Sequence, residues 1–445
     1  MTLRVAMLSV HTCPLAALGG KETGGMNVYV RELSRELGRM GVEVDVFTRS
    51  QNAATPRVVE LGARARVIHL PAGPEAPMAR AEIHAHLDEF IDGLEAWRLT
   101  RGGEYDLIHA HYWLSGVAAL ALRERWSVPV LQMFHTLGRL KNRAARSHAE
   151  LEPAIRLAEE SRIVPAADRI VAANVVERTE LLRDYGAPAH RIATIPCGVD
   201  TELFAPGDLP AARQALGLDG RPTLLWVGRI APIKGLDTLL GAVARLHAAG
   251  TAARLLIVGG DADEPRNGHE RALREQIAEL RLTDAVSFLG PQPQDVLPTY
   301  YAAADVTVVP SYYESFGMVA LEAMACGSPV IASRVGGLVT TVRDGVTGFL
   351  VPESDVGALA DRIQALIADP DLCWRVGREG VRWAAQHRWP CVAEAVCREY
   401  ASLQPSASEH LVAARCRDQG ALFTNKHEIR NKHKIRWIPR SIDSG

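Results

Sequence analysis

The sequence predicts two doubly wound α/β domains, each built on a parallel sheet, facing one another across a cleft. Three observations lead there. Short β-branched runs alternate with longer amphipathic stretches from Leu3 to Leu403. The runs fall into two groups, each large enough for one sheet. A segment rich in Pro, Gly and Asp, PCGVDTELFAPGDLP (196–210), separates the groups.

In the first group the runs begin at Leu3 (LRVAMLSV), Val42 (VEVDVFTR), Arg66 (RVIHL), Leu107 (LIHAHY), Pro129 (PVLQMFH), Arg169 (RIVAAN) and Arg191 (RIATIP). In the second they begin at Thr223 (TLLWVGRI), Ala253 (ARLLIVGG), Val286 (VSFLG), Val306 (VTVVPS) and Pro329 (PVIAS). Helical patterns lie between them. In GGMNVYVRELSRELGRMG the apolar residues Val28, Leu33 and Leu37 alternate with charges. Strand, helix, strand in repetition means parallel strands joined by right-handed crossovers. The expected division is a Rossmann-like domain over 1–197, a second over 198–389, and a last helix at 390–403 that packs back on the first. Ligands of such sheets sit at the carboxyl ends of the strands. Residues 404–445 carry eight Lys/Arg against four Asp/Glu and a near-repeat, NKHEIR then NKHKIR. They are expected to form a basic, weakly ordered tail.

Composition narrows the function. Formal net charge is -2, without a basic face in the first two domains, which argues against nucleic acid as a partner. No apolar run approaches the roughly 18 residues of a membrane span, and the opening MTLRVAMLSVH is too short for a signal peptide. A cytoplasmic setting is expected. Cys13, Cys197, Cys326, Cys373, Cys391, Cys397 and Cys416 form no C-x-x-C pair, so neither a disulfide framework nor a zinc site is indicated.

Three constellations carry chemistry. In GGKETGGMNVYV, Gly24 and Gly25 lack a Cβ and precede a helix whose free N–H groups suit a phosphate. Glycines in such loops also serve tight packing alone. In VGRIAPIKG, Arg229 ends an apolar strand and Lys234 follows five residues on. A planar fork and a point charge together suit a departing diphosphate, although two solvated surface charges would look the same. In SYYESFGMVALEAMACGSPV, Glu314 and Glu322 stand eight apart. A carboxylate there can accept both hydroxyls of a vicinal diol such as a ribose. Ser315, Phe316, Gly317 and Met318 would present backbone N–H groups at a second helix start.

The segment ESFGMVALEAMACGSPV, with GRIAPIKG upstream and VGGLVTTVRDGVTGFLV downstream, resembles the retaining family 4 glycosyltransferases of the GT-B fold. The resemblance covers about residues 3 to 403 and rests on the E-x7-E spacing. It implies a hexosyltransferase that takes a nucleoside diphosphate sugar, a UDP-sugar by preference, and needs no cofactor or catalytic metal. It implies that Arg229 and Lys234 hold the diphosphate, that Glu322 holds the ribose, and that Glu314 and His135 lie near the donor sugar. Gly24, Gly25, Ser315, Phe316, Gly317, Met318 and Val319 complete the implied donor site.

SVHTCPLA, GGMNVYV, HYWLSG and HTLGRLKN resemble a narrower group: the mycothiol-pathway inositol-phosphate glycosyltransferase and bacterial sucrose-phosphate synthases. That resemblance implies a phosphorylated acceptor held by Asn27, Arg80, Tyr112, Thr136, Lys141 and Arg156. Arg80 stands where the inositol enzyme has Lys, which keeps charge and alters geometry. Solvated helix charges are the competing reading of Arg80, Lys141 and Arg156. An unphosphorylated glycan or lipid-linked acceptor, a nucleotide-sugar epimerase and a non-catalytic nucleotide-sugar binder are the other readings. A homodimer is left open. HAHYW (109–113) puts His109 and His111 on one strand face without an evident third ligand, and DAD (261–263) reads as a turn, so no metal is expected.

Overall fold

A computed structural model describes residues 2–16, 24–101, 103–260 and 268–404. The DAD turn and the basic tail from 405 onward, with Cys416 and the near-repeat, lie outside the described residues.

The first sheet has eight strands: β1 (Arg4–Leu8), β2 (Glu43–Arg49), β3 (Val58–Gly62), β4 (Ala65–Leu70), β5 (Leu107–His111), β6 (Val130–Met133), β7 (Arg169–Ala172) and β8 (Ile192–Thr194). Their spatial order is β3-β4-β2-β1-β5-β6-β7-β8. The second sheet has six: β9 (Thr223–Gly228), β10 (Arg254–Gly259), β11 (Val286–Phe288), β12 (Val306–Val309), β13 (Val330–Ser333) and β14 (Phe349–Val351). Their order is β11-β10-β9-β12-β13-β14. The doubly wound fold class expected from the strand and helix alternation is what forms. In each sheet the order reverses beside its first strand: between β1 and β5, and between β9 and β12. Each reversal opens a crevice at the carboxyl ends, where neighbouring connections leave on opposite faces.

Two strands depart from the sequence reading. β3 pairs antiparallel with β4, so the first sheet is not wholly parallel. The connection explains it: only Ala63 and Arg64 join the strands, and a two-residue link closes a hairpin but cannot make a parallel crossover. Arg64 takes the left-handed φ of 55° that such a turn requires. β3 is an edge strand with exposed positions, so its apolar pattern is weak. β14 has three residues between a turn and Pro352, too few for a periodicity to register.

The strands are buried because helices cover both faces. The helix Gly25–Arg39 turns Val28, Leu33 and Leu37 inward, the stripe that its sequence spacing predicts. One apolar cluster joins the inner layers of the two sheets, from Met7 and Leu33 through Val199, Phe204 and Trp389 to Tyr301 and Met324. The chain crosses between sheets twice, and the crossings touch. Val199 bridges to Arg388, and a Cβ on Gly198 would lie 2.5 Å from the Trp389 ring. The final helix, Trp389–Leu403, starts one residue earlier than the sequence pattern suggests. It lies against the first sheet's layer: Arg169 Nε donates to Glu399 at 2.5 Å, Gln404 Nε2 to Asp106 O at 2.6 Å, and Tyr400 OH meets His109 Nδ1 at 2.8 Å.

Candidate functional site

Both crevices open toward one cleft, and the candidate residues stand on the connections at their mouths. Gly24 caps the helix Gly25–Arg39 in an extended conformation. Its N–H donates to Asn27 Oδ1 at 2.9 Å, while Asn27 Nδ2 donates to Thr12 Oγ1 and Cys13 O, both at 2.7 Å. Asn27 thus spends its amide on tying the loop after β1 to the helix start. A Cβ on Gly25 would sit 3.1 Å from Met318 Sδ. Met318 opens the helix Met318–Ala325 of the other domain, so two helix N-termini converge on one region. Free N–H groups and the positive ends of two helix dipoles make that region attractive to an anion.

The second domain supplies cations beside it. Arg229 follows β9 directly and is exposed. A short turn, Pro232–Lys234, comes next and ends at Gly235 with φ 67°. A side chain at Gly235 would drive its Cβ to within 2.0 Å of Pro310 O. Ile233 O accepts the Tyr312 N–H at 2.9 Å, which ties this turn to the loop after β12. Across that seam Lys234 Nζ donates to Glu314 Oε2 at 2.5 Å. The structure therefore brings these two predicted residues into direct contact.

Two glycines that sequence reasoning left without a task shape the Glu314 loop. A Cβ on Gly336 would lie 2.0 Å from Glu314 O, and one on Gly337 2.1 Å from Ser315 O. Gly337 N–H donates to Glu314 O at 2.8 Å. The doublet in VGGL was the available signal. Phe316 is buried, and its carbonyl accepts the Thr341 hydroxyl at 2.6 Å. Gly317 caps the next helix at φ 90°, a value that favours glycine. Met318 and Val319 are half-buried at that helix start.

Glu322 lies one turn further along that helix and is buried. Its Oε2 accepts from Tyr301 OH at 2.9 Å. Burial pushes the carboxyl up to about 7, against the lowering effect of bonds to Tyr301 and Gln294. With Val28, Arg31, Val199, Gln294 and Trp389 it lines a cavity of about 270 Å³ between the domains. Arg31 Nη2 reaches across to Gln294 Oε1 at 2.5 Å.

The first domain presents a different cluster. Tyr112 OH accepts from Arg80 Nη1 and from Arg156 Nη1, each at 2.9 Å. Arg156 Nη2 donates to Thr136 O at 2.6 Å and to Thr136 Oγ1 at 2.9 Å, and its Nε to Glu160 at 2.7 Å. Its remaining Nη1 contact is Glu152 Oε2 at 2.8 Å. Lys141 Nζ pairs with the other Glu152 oxygen. Five of the six predicted acceptor residues are thus linked in one network, whereas Asn27 belongs to the glycine loop. Arg156 is fully buried rather than solvated. Burial disfavours its charge, but Tyr112, Glu160 and Glu152 hold the guanidinium above its ordinary pKa. Desolvation lowers the Lys141 pKa.

Between the clusters stands His135. Tyr112 and His135 follow the adjacent strands β5 and β6, and both take left-handed backbone, φ 75° and 61°. Such a conformation costs on the order of 1 kcal/mol at a non-glycine residue and tends to mark functional sites. Burial takes the His135 imidazole down to about 3, which leaves it neutral near pH 7. Its Nε2 meets His111 Nδ1 at 2.9 Å, and the His109 and His111 rings are 4.2 Å apart. Across the cleft, Asn174 Nδ2 donates to Ser315 O at 2.5 Å. Asn174 caps the helix Val175–Arg183. The cap pattern NVVE was legible, but the reach to the other domain was not.

Two family models match the chain. "Glycosyltransferase Family 4" covers residues 23–203 and "Glycosyl transferases group 1" covers 209–383. A D-inositol 3-phosphate glycosyltransferase of Catenulispora acidiphila is 43% identical over 407 residues, spanning 89% of this chain and 94% of that one. One from Kribbella flavida is 42% identical over 403 residues, spanning 89% and 95%. Among solved structures, the sucrose-phosphate synthase of Thermosynechococcus elongatus superposes with a TM-score of 0.84 at 37% identity, covering 91% of this chain and all (100%) of that one.

Proposed function

We propose, from the premise that this chain belongs to the family 4 glycosyltransferases of the GT-B fold, that it moves a hexosyl group from a nucleoside diphosphate sugar to a hydroxyl of an inositol phosphate. The observation that carries the reading is the network of Arg80, Tyr112, Thr136, Lys141 and Arg156. Its Tyr112 ring lies 4.4 Å from that of His11, on the loop that Asn27 ties to the Gly25 helix start. Cations on separate segments, Arg156 fully buried and Arg80 and Lys141 half-buried, suit a phosphate monoester, since charge-assisted donors bind its oxygens strongly. The names of the 43% and 42% identical relatives point to the same acceptor.

In this reading the diphosphate rests on the two helix N-termini and against Arg229 and Lys234. These cations meet the charge that develops as the sugar–phosphate bond breaks, so the reaction calls for neither cofactor nor metal. Glu314 orients Lys234, to which it is bonded. Glu322 takes the ribose diol, and neutral His135 hydrogen-bonds the donor sugar. The acceptor hydroxyl attacks from the face the diphosphate leaves, and its proton passes to a leaving phosphate oxygen. Configuration is retained without a carboxylate nucleophile. UDP is the favoured carrier.

Turnover of purified protein with UDP-, GDP- and ADP-sugars against inositol 3-phosphate, fructose 6-phosphate and their unphosphorylated forms tests the substrate classes. Arg229→Ala and Lys234→Ala should each lower kcat by about a hundredfold or more while circular dichroism stays that of the folded chain. Near-normal turnover in both variants rules out their role. Equal rates on phosphorylated and plain inositol rule out the acceptor.

A further inference from the structure

The loop between the helices Gly138–Ala144 and Ala154–Ala166 carries a carboxylate to which the acceptor reading gives no task. Glu152 pairs with Lys141 through one oxygen and lies 2.8 Å from Arg156 Nη1 through the other. Burial alone would raise its carboxyl, but Arg156 and Lys141 hold it down at about 2. It is therefore ionised at neutral pH.

The other carboxylate on Arg156 is held quite differently. Glu160 is fully buried within its helix. It accepts the Gly138 N–H through both oxygens, at 3.1 and 2.9 Å, as well as Tyr185 OH at 2.5 Å and Arg156 Nε at 2.7 Å. Glu152 instead stands on a loop just before Pro153, with its side chain 10% exposed. Its backbone N–H is anchored to Asn142 Oδ1 at 2.7 Å, which leaves the side chain as the part that can move.

Charge balance separates the two further. Lys141 and Arg156 are two cations, and Glu152 and Glu160 the two carboxylates paired with them, so the four charges cancel. A phosphate monoester brings roughly −1.5 to −2 charges at pH 7. Admitted beside both carboxylates, it would make the pocket net negative, and like charges at close quarters repel strongly when desolvated. One carboxylate has to leave, and Glu160 is fastened on every side.

We propose that Glu152 is an internal stand-in for the acceptor's phosphate: its carboxylate fills the anion position between Lys141 and Arg156 and swings out when the phosphate enters. This rests on the acceptor reading above. Before the acceptor arrives, Glu152 keeps the buried cations paired, since an uncompensated buried charge is costly. A polyol without an anion makes no use of the two cations, so it leaves Glu152 in place and its binding does not depend on that carboxylate.

The test is Glu152→Gln in the full chain, which keeps volume and can still accept a hydrogen bond from Arg156. The KM for inositol 3-phosphate should fall about fivefold, because the competing charge is gone and more of the protein is ready to bind. The inhibition constant of inorganic phosphate should fall alongside it, and phosphate should raise the melting temperature of the variant more than that of the parent. The KM for myo-inositol should not fall with them. If Glu152 merely braces the two cations, the KM for inositol 3-phosphate rises instead, and a rise or no change overturns the stand-in role. A parent enzyme that uses inositol as well as its phosphate overturns the acceptor reading and this proposal together. Should Glu152→Gln not fold, Glu152→Asp, which withdraws the carboxylate by one methylene, should shift both constants in the same direction by less.

Discussion

Glu322 shows how much one residue's surroundings alter its chemistry. In sequence it is a glutamate in an apolar helix. In the fold, burial lifts its carboxyl from 4.5 to about 7. A raised carboxyl pKa contributes stability that is complete below about 4.5 and disappears as pH rises through about 7. Glu177, buried in the first turn of the helix Val175–Arg183 and also raised to about 7 by desolvation, adds to the same slope. In the proposed ribose site binding runs the other way, because an ionised carboxylate accepts both hydroxyls of a diol and the protonated form does so less well. Calorimetric titration of UDP should therefore show affinity rising about tenfold between pH 6 and pH 8, with that increment missing in Glu322→Gln. An identical pH dependence in the variant would remove Glu322 from the ribose site. The residue was conspicuous in sequence because a charge among Ala, Met and Cys calls for a reason. Its partners Tyr301 and Gln294 were not, since they stand on other segments.

At the scale of elements, the site is made by glycines that let loops approach closely. Gly235, Gly317, Gly336 and Gly337 each stand where a Cβ would strike a neighbouring atom, and the first three also take positive φ. Gly336→Ala is expected to destabilise the protein by about 2–4 kcal/mol, because its Cβ would come within 2.0 Å of Glu314 O at φ 46°. Gly220→Ala, which meets nothing within 4 Å, should cost less than about 0.5 kcal/mol. Urea unfolding midpoints measure both. Equal midpoints would mean that the Glu314 loop adapts freely. The Gly24–Gly25 pair and the start of its helix could be read from the chain, as could the E-x7-E helix. The VGGL doublet gave no hint of what it packs on, because the backbone oxygens it meets come from Glu314 and Ser315, over twenty residues away in sequence.

For the whole molecule, the cleft is spanned by polar contacts that sit apart from the shared apolar cluster. Asn174 binds Ser315 O, Arg31 binds Gln294, and Arg146 reaches Asp237 at 3.3 Å while its guanidinium lies 4.3 Å from the Tyr312 ring centroid. Polar contacts of this kind are weak beside the apolar cluster that joins the two sheets, so opening of the cleft about that cluster is the expectation. Asn174→Asp keeps the helix cap, since Oδ1 still accepts from Val176 and Glu177, but sets a carboxylate against a carbonyl. X-ray scattering should show a larger radius of gyration, and kcat/KM should fall about tenfold, while the melting temperature shifts little. An unchanged scattering curve together with full activity would show that this contact has no part in holding the cleft closed.

The chain alone carried the fold class, the helix stripes and the candidate cations Arg229 and Lys234. Those follow from local periodicity and from residue types whose spacing along one chain segment is short. It also supplied the candidate acceptor residues, through resemblance rather than geometry. Which charges are buried, which are paired and with whom emerged only in the folded molecule. Arg156, readable as a solvated helix charge, lies at zero exposure with every N–H occupied. Asn27 turned inward to its own loop, β3 ran antiparallel, and Glu152 emerged between two cations. The physical reason is the same in each case. Burial and ion pairing depend on groups far apart in sequence, and no pattern along the chain records which of them the fold will bring together.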